Sequence, residues 1–135
     1  MRERRLLSGI KISPLDKLFS KYVRSRDRWT CQRCMKYHRP PTNGLHCAHL
    51  FGRRNKSTRW DPDNAIALCY GCHQYFGEHP LKFYDWYIKR FGKDQFDRIR
   101  LRSNVPVKVD ERFVLMGLRL SMKSLESYTA EVVNE

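Results

Sequence analysis

The stretch LCYGCHQYF, residues 68–76, carries two cysteines three positions apart and a histidine directly after the second. A C-x-x-C turn brings two thiolates to the separation that one tetrahedral ion needs, and two such turns complete a structural zinc site. The chain has one other pair of this kind, Cys31-Gln-Arg-Cys34. Cys31, Cys34, Cys69 and Cys72 are therefore expected to hold one structural Zn²⁺. The 34 residues between the pairs exceed a compact zinc ribbon, so a folded element must lie between them. Deprotonated thiols suit surroundings rich in Arg and Lys. The competing reading, two disulfides, does not suit an intracellular chain whose thiols stay reduced. Cys47 is left without a partner and reads as a small buried filler in a strand.

His73 is a separate matter. Successive residues on a helix point about 100° apart, so Cys72 and His73 do not address the same compact tetrahedron. A site closed by four thiolates also has no position open to a substrate. Any chemistry must therefore lie off the zinc, and His73 points there.

Working outward, Ser13-Pro14 opens a helix with Ser as N-cap and Pro at its first position. Leu15, Leu18, Phe19 and Tyr22 recur at helical spacing as its core face, and it should fade near Trp29. The turn-rich CQRCMKYHRPPTNG (31–44) leads to a short strand around LHCAHL (45–50). FGRRNKSTRWDPDN (51–64) has too little apolar content for a regular element and reads as a loop. AIALC (65–69) reads as a second strand, followed by a helix from Tyr70 to about Phe76. Pro80 starts another helix, with Phe83, Trp86, Tyr87 and Phe91 on one face and Gly92 as its stop. A further helix is expected from about Asp94 to Arg102. From Asp110 onward, Leu115, Leu118, Met122 and Leu125 mark a last one, fraying over the final six residues. Helices around a two-stranded centre make the fold class α+β. Length sets one domain over residues 1–135. It divides into a basic N-terminal helical segment (1–28), a zinc-bound core (29–92) and a C-terminal helical extension (93–135).

Net charge is +13, and its placement is informative. Residues 1–60 hold 16 Lys and Arg against 3 acids, while residues 61–135 hold 11 of each sign. A one-sided excess suits a polyanion, so DNA is the expected partner. No apolar run approaches the roughly 18 residues that span a bilayer. MRERRLLSGIKI at the N-terminus is basic but too short and broken in its apolar part for a secretory signal. The expectation is a cytoplasmic protein with no membrane partner.

Between the cysteine pairs lie AH-x-x-x-R, TRWD-x-x-N and LC-x-x-CH, which set His49, Asn64 and His73 in order. This pattern resembles the HNH endonucleases, also called His-Me finger or ββα-metal nucleases, and is most similar to phage NinG-type recombination proteins and small phage HNH proteins. The resemblance covers roughly residues 29–92. It implies a ββα-metal core stapled by the four-cysteine zinc, with His49 as general base, Asn64 tying the loop, and His73 holding a catalytic divalent ion, Mg²⁺ or Mn²⁺. It implies hydrolysis of DNA phosphodiesters, in phage recombination or processing, inside a bacterial host cell. A neutral imidazole is available as a base near pH 7, and a divalent ion is a Lewis acid for the phosphate. Such nucleases commonly carry a second metal ligand immediately before the base histidine, where this chain has Ala48. His46 or Asp63, or water and the DNA phosphate, are left to fill that place.

Arg53, Arg54, Lys56 and Arg59 are the expected phosphate contacts beside the cleaved bond. Arg59 has an alternative, a structural pair with Asp61 or Asp63. Arg24, Arg26, Arg28 and Arg33 extend the basic surface or are ordinary solvated positions. Phe83, Trp86 and Tyr87 belong to the core rather than to base stacking. The rival to a nuclease is a zinc-containing DNA-binding protein that recognises junctions or assists recombination without cutting. The oligomeric state is open between monomer and homodimer, the C-terminal amphipathic helix being the candidate contact surface.

Overall fold

The computed structural model describes residues 11–134, with side chains described as far as Thr129. Residues 1–10 of the expected N-terminal segment lie outside the described residues, as do the side chains of the terminal stretch expected to fray. The described elements are α1 (Pro14–Arg26), β1 (Leu45–His49), α2 (Lys56–Arg59), a 3₁₀ turn (Pro62–Asn64), β2 (Ala65–Cys69), α3 (Tyr70–Glu78), α4 (Pro80–Phe91), α5 (Lys93–Asn104) and α6 (Glu111–Asn134). This is an α+β chain with one two-stranded antiparallel sheet among the described residues.

Ser13 caps α1 as expected and closes a reciprocal box. Its hydroxyl accepts the Asp16 N–H at 3.1 Å, and the Asp16 carboxylate accepts the Ser13 N–H at 2.8 Å. The helix ends earlier than its apolar spacing implies. Trp29 N–H bonds the Arg24 carbonyl and Arg28 N–H bonds the Ser25 carbonyl, a closing pair that ends the helix at Arg26. Arg28 and Trp29 take left-handed backbone, φ +57° and +55°. Non-glycine residues seldom do so, and no glycine marks the stop in the sequence.

β1 and β2 pair with Leu45 opposite Cys69 and His49 opposite Ala65. β2 is buried along four of its five positions because helices cover both faces. On one face Ala48, Ile66 and Leu68 pack in a cluster with Cys72, Phe76, Phe83, Tyr87, Phe96 and Ile99, which Leu45 joins from the end of β1. On the other, Ala65 joins Leu15, Phe19, Val23, Trp60 and Leu118, so α1 and α6 close that side. The free edge of β2 is also occupied, since Ala67 N–H donates to the Asp27 carboxylate and Ala67 C=O accepts the Gln32 N–H.

Residues 51–64 are more ordered than a loop. They contain one helical turn, α2, and the 3₁₀ turn. Apolar periodicity is blind to elements this short, whose hold comes from side chains elsewhere. Phe83 and Tyr87 are buried and Trp86 is half-buried, as expected of core residues, whereas Phe91 lies exposed beside the Gly92 stop. No helix among the described residues is long and apolar enough to cross a membrane.

Candidate functional site

The four cysteines converge. Cys31 and Cys34 come from the turn after α1, Cys69 ends β2, and Cys72 lies in the first turn of α3. Their sulfur atoms all lie within 4.8 Å of one another, with Cys34 and Cys69 at 3.8 Å. Sulfurs each about 2.3 Å from one tetrahedral ion stand about 3.8 Å apart, so the cluster can hold a metal ion such as zinc. Both turns aim a backbone N–H at their first sulfur, Cys34 N–H to Cys31 Sγ and Cys72 N–H to Cys69 Sγ, each at 3.5 Å. Burial opposes ionisation of Cys31, yet the N–H groups around it outweigh burial and pull its thiol down to about 7. Burial pushes Cys72 up to about 12, although Arg33 Nη1 donates to its sulfur at 3.5 Å. Arg33 also lies over the Tyr75 ring at 4.2 Å. It packs against the cysteine cluster while staying exposed to solvent.

A second site opens away from the sulfurs. His46, His49 and His73 line one groove of about 600 Å³, together with Lys17, Ser20 and Arg24 of α1 and with Arg53. His46 Nδ1 and His73 Nδ1 stand 3.0 Å apart. Two nitrogens about 2.1 Å from a shared ion and at right angles to it are separated by about 3.0 Å. His46 Nε2 lies 3.1 Å from the Asn43 carbonyl, which can only accept, so Nε2 carries the proton and Nδ1 accepts the His73 Nδ1–H. An imidazole donating its far N–H to a carbonyl is the usual support of a metal-ligating histidine. Burial lowers the His73 pKa, and the neighbouring His46 adds to that. As they stand the two rings are joined by a hydrogen bond, and an ion held by both nitrogens would have to displace the proton between them.

His49 is oriented the same way. Its Nε2 lies 2.9 Å from the Arg59 carbonyl, which makes the neutral ring an Nε2–H tautomer with a free lone pair on Nδ1. Its ring packs against Phe19 at 5.7 Å between centroids. Burial pushes its pKa down to about 4, and the Arg53 charge acts in the same direction.

Asn64 is fully buried and bonds across the 51–64 segment. Its Oδ1 accepts the Phe51 N–H, and its Nδ2 donates to the Phe51 and Thr58 carbonyls, at 2.9–3.0 Å. It makes no hydrogen bond to His49 among the described residues.

Other expectations need correction. Asp63 is exposed, sits 3.6 Å from Arg102, and does not line the groove, so it offers no ligand there. Asp61 also pairs with Arg102, at 3.1 Å. Arg59 is buried and forks onto Asp16, with Nε donating to Oδ1 at 2.9 Å and Nη2 to Oδ2. It therefore meets no phosphate, and its partner is neither Asp61 nor Asp63. Arg26 pairs with Asp27 and donates to the Pro62 and Ala65 carbonyls at 2.7 Å, while Arg24 lies over Trp29. Arg59 and, in part, Arg26 are thus internal wiring, while Arg24 also lines the groove. Arg53 remains at the groove, and Arg54 and Lys56 are exposed beside it. Cys47 is half-buried on the groove wall, and burial pushes its thiol up to about 12. It is not fully enclosed as a filler would be.

The clamp at Asp16 escaped the sequence reading. An acid three residues after a serine N-cap reads as a cap alone, and nothing local links it to Arg59. Comparison with known proteins finds no matching family model, curated relative or solved structure.

Proposed function

We propose that this chain is a metal-dependent endonuclease of the HNH type that hydrolyses DNA phosphodiester bonds. The observation that carries the reading is one groove in which His49 offers a lone pair on Nδ1 beside the His46–His73 nitrogen pair. The order β1, β2, α3 fits a ββα-metal core, and the cysteine cluster sits at its base as the zinc clip.

In this reading His49 Nδ1 takes a proton from water as the water oxygen bonds phosphorus. The bond from phosphorus to the sugar 3′-oxygen breaks, and that oxygen leaves with the electron pair. The Arg59 carbonyl keeps the imidazole aligned and steadies the charge it gains. A divalent ion on His46 and His73, Mg²⁺ or Mn²⁺, supplies Lewis-acid stabilisation of the phosphate and the departing oxygen. Asn64 holds the loop that carries the Arg59 carbonyl. Arg53, Arg54 and Lys56 provide phosphate contacts, which position the backbone without reading sequence. The resemblance to small phage proteins supports a role in phage recombination or DNA processing.

One observation favours a second reading. Among the described residues only the His46 and His73 nitrogens converge as a ligand pair, and the strand position beside His49 is Ala48, fully buried and without a ligand atom. A non-cleaving DNA-binding protein built on the same zinc clip would look like this too. Conversion of supercoiled plasmid to nicked or linear DNA separates the two. The nuclease reading expects cleavage with Mg²⁺ or Mn²⁺, none with EDTA, and none from His49→Ala with its zinc content intact. Binding without cleavage in either metal, or equal cleavage by wild type and His49→Ala, defeats it.

A further inference from the structure

We propose that Asp16, on α1 and remote in sequence from the histidines, is a positioning residue that sets the tautomer of His49 through Arg59; the catalytic meaning of this role rests on the nuclease reading. The geometry is a continuous chain. Asp16 Oδ1 accepts Arg59 Nε at 2.9 Å and Trp60 Nε1 at 3.0 Å. Asp16 Oδ2 accepts Arg59 Nη2 and the Ser13 N–H and hydroxyl. The Arg59 carbonyl in turn accepts the His49 Nε2–H. Asp16 and Arg59 are both buried, and burial alone would favour a protonated carboxyl. The Arg59 fork and the Ser13 donors outweigh it and hold Asp16 below the usual carboxylate range.

The clamp matters because α2 cannot hold itself. It has four residues and no side-chain N-cap bond, and a single helical turn is unstable alone. Side-chain ties replace internal strength, among them Thr58 Oγ1 to the Asn55 carbonyl and Arg59 Nη2 to the Lys11 carbonyl. Ser57 Oγ donates to the Arg102 carbonyl near the front of the turn, and Asn64 Nδ2 donates to the Thr58 carbonyl, in the peptide that leads into Arg59. The Asp16 carboxylate grips Arg59 and Trp60, the end whose carbonyl meets His49. Without that grip the carbonyl loses its direction, and the imidazole is free to place its proton on either nitrogen. A share of the molecules would then present N–H where the base needs a lone pair.

The test reads the two ring nitrogens of His49 directly, by long-range ¹⁵N–¹H correlation on zinc-loaded protein. Wild type should show a protonated Nε2 and an unprotonated Nδ1. Removing only Asp16 strands a buried guanidinium, so the variant used is Asp16→Leu with Arg59→Leu, which fills the volume with apolar groups. It should populate both tautomers and lower kcat for plasmid cleavage at least tenfold, with KM for DNA within twofold. A folded double variant with one Nε2–H tautomer and unchanged kcat overturns the proposal. If the double variant does not fold, Arg59→Lys decides, because it keeps the charge and loses the fork. A mixed tautomer supports the clamp, and a wild-type spectrum overturns it. A proton on Nδ1 in wild type overturns it with no variant at all. The nuclease reading fails separately: wild type that never cleaves defeats it, while the ring spectra still judge the clamp.

Discussion

Replacing His49 by glutamine should flatten the acid side of this protein's stability profile. Glutamine keeps a donor near the Arg59 carbonyl and does not titrate. The native imidazole has its pKa pushed down to about 4 by burial, against about 6.5 in the unfolded chain. The sign follows from which state takes up the proton first. Above 6.5 neither state binds it, and the contribution to stability is fully present. As pH falls from 6.5 toward 4 the unfolded chain is protonated and the native one is not, so stability is lost. At pH 5 the unfolded state gains about 2 kcal/mol from protonation and the native state less than about 0.1 kcal/mol. Wild type should therefore lose about 2 kcal/mol more than His49→Gln between pH 7.5 and pH 5. Urea denaturation of zinc-loaded protein at both pH values measures this, with zinc content checked in each sample. The other histidines and the thiolates are common to both proteins and cancel in the comparison. Equal losses in the two proteins would refute the claim that the native imidazole is buried and neutral.

Other perturbations separate structure from binding. Arg59→Ala leaves Asp16 buried without its partner and should destabilise by about 3–5 kcal/mol in denaturant. Its folded fraction should bind DNA as wild type does, whereas Arg53→Ala should weaken binding and reduce the slope of log K against log salt by roughly 0.9. Asn64→Ala removes three buried hydrogen bonds and should lower stability by about 2–4 kcal/mol, read by the same denaturation. Cys69→Ser should release the metal and cost on the order of 5 kcal/mol or more, visible as a lower Tm and loss of zinc by elemental analysis.

Elements with a strong local signal were legible. Ser13-Pro14 marks the start of α1, AIALC coincides with β2, and Pro80 and Gly92 bracket α4. The two C-x-x-C turns pointed to one cluster able to hold a metal ion, because thiolate spacing is itself the local signature. What depended on long-range contact was not legible. Arg59 had two acids close by in sequence, yet its partner is Asp16, brought over by the packing of α1 on the sheet. Arg26 counted as surface charge, yet the Pro62 and Ala65 carbonyls and the Asp27 carboxylate claim it. His46 was one of several candidates to replace the ligand missing at Ala48. Only the pairing of β1 with β2 and the start of α3 at Tyr70 bring its Nδ1 to His73. The early end of α1 rests on left-handed Arg28 and Trp29, residues that carry no such preference of their own.

In the proposed mechanism the thiolate cluster would grip one ion and the imidazole pair would serve another. Counting both ions in one sample tests this most directly. His49→Ala, mixed with a short DNA duplex so that nothing is cleaved, should bind one Mn²⁺ per chain by electron paramagnetic resonance and hold one zinc by elemental analysis. Adding His73→Ala should weaken Mn²⁺ binding at least tenfold and leave zinc unchanged. Undiminished Mn²⁺ binding in the double variant, or zinc that departs with His73, would contradict it.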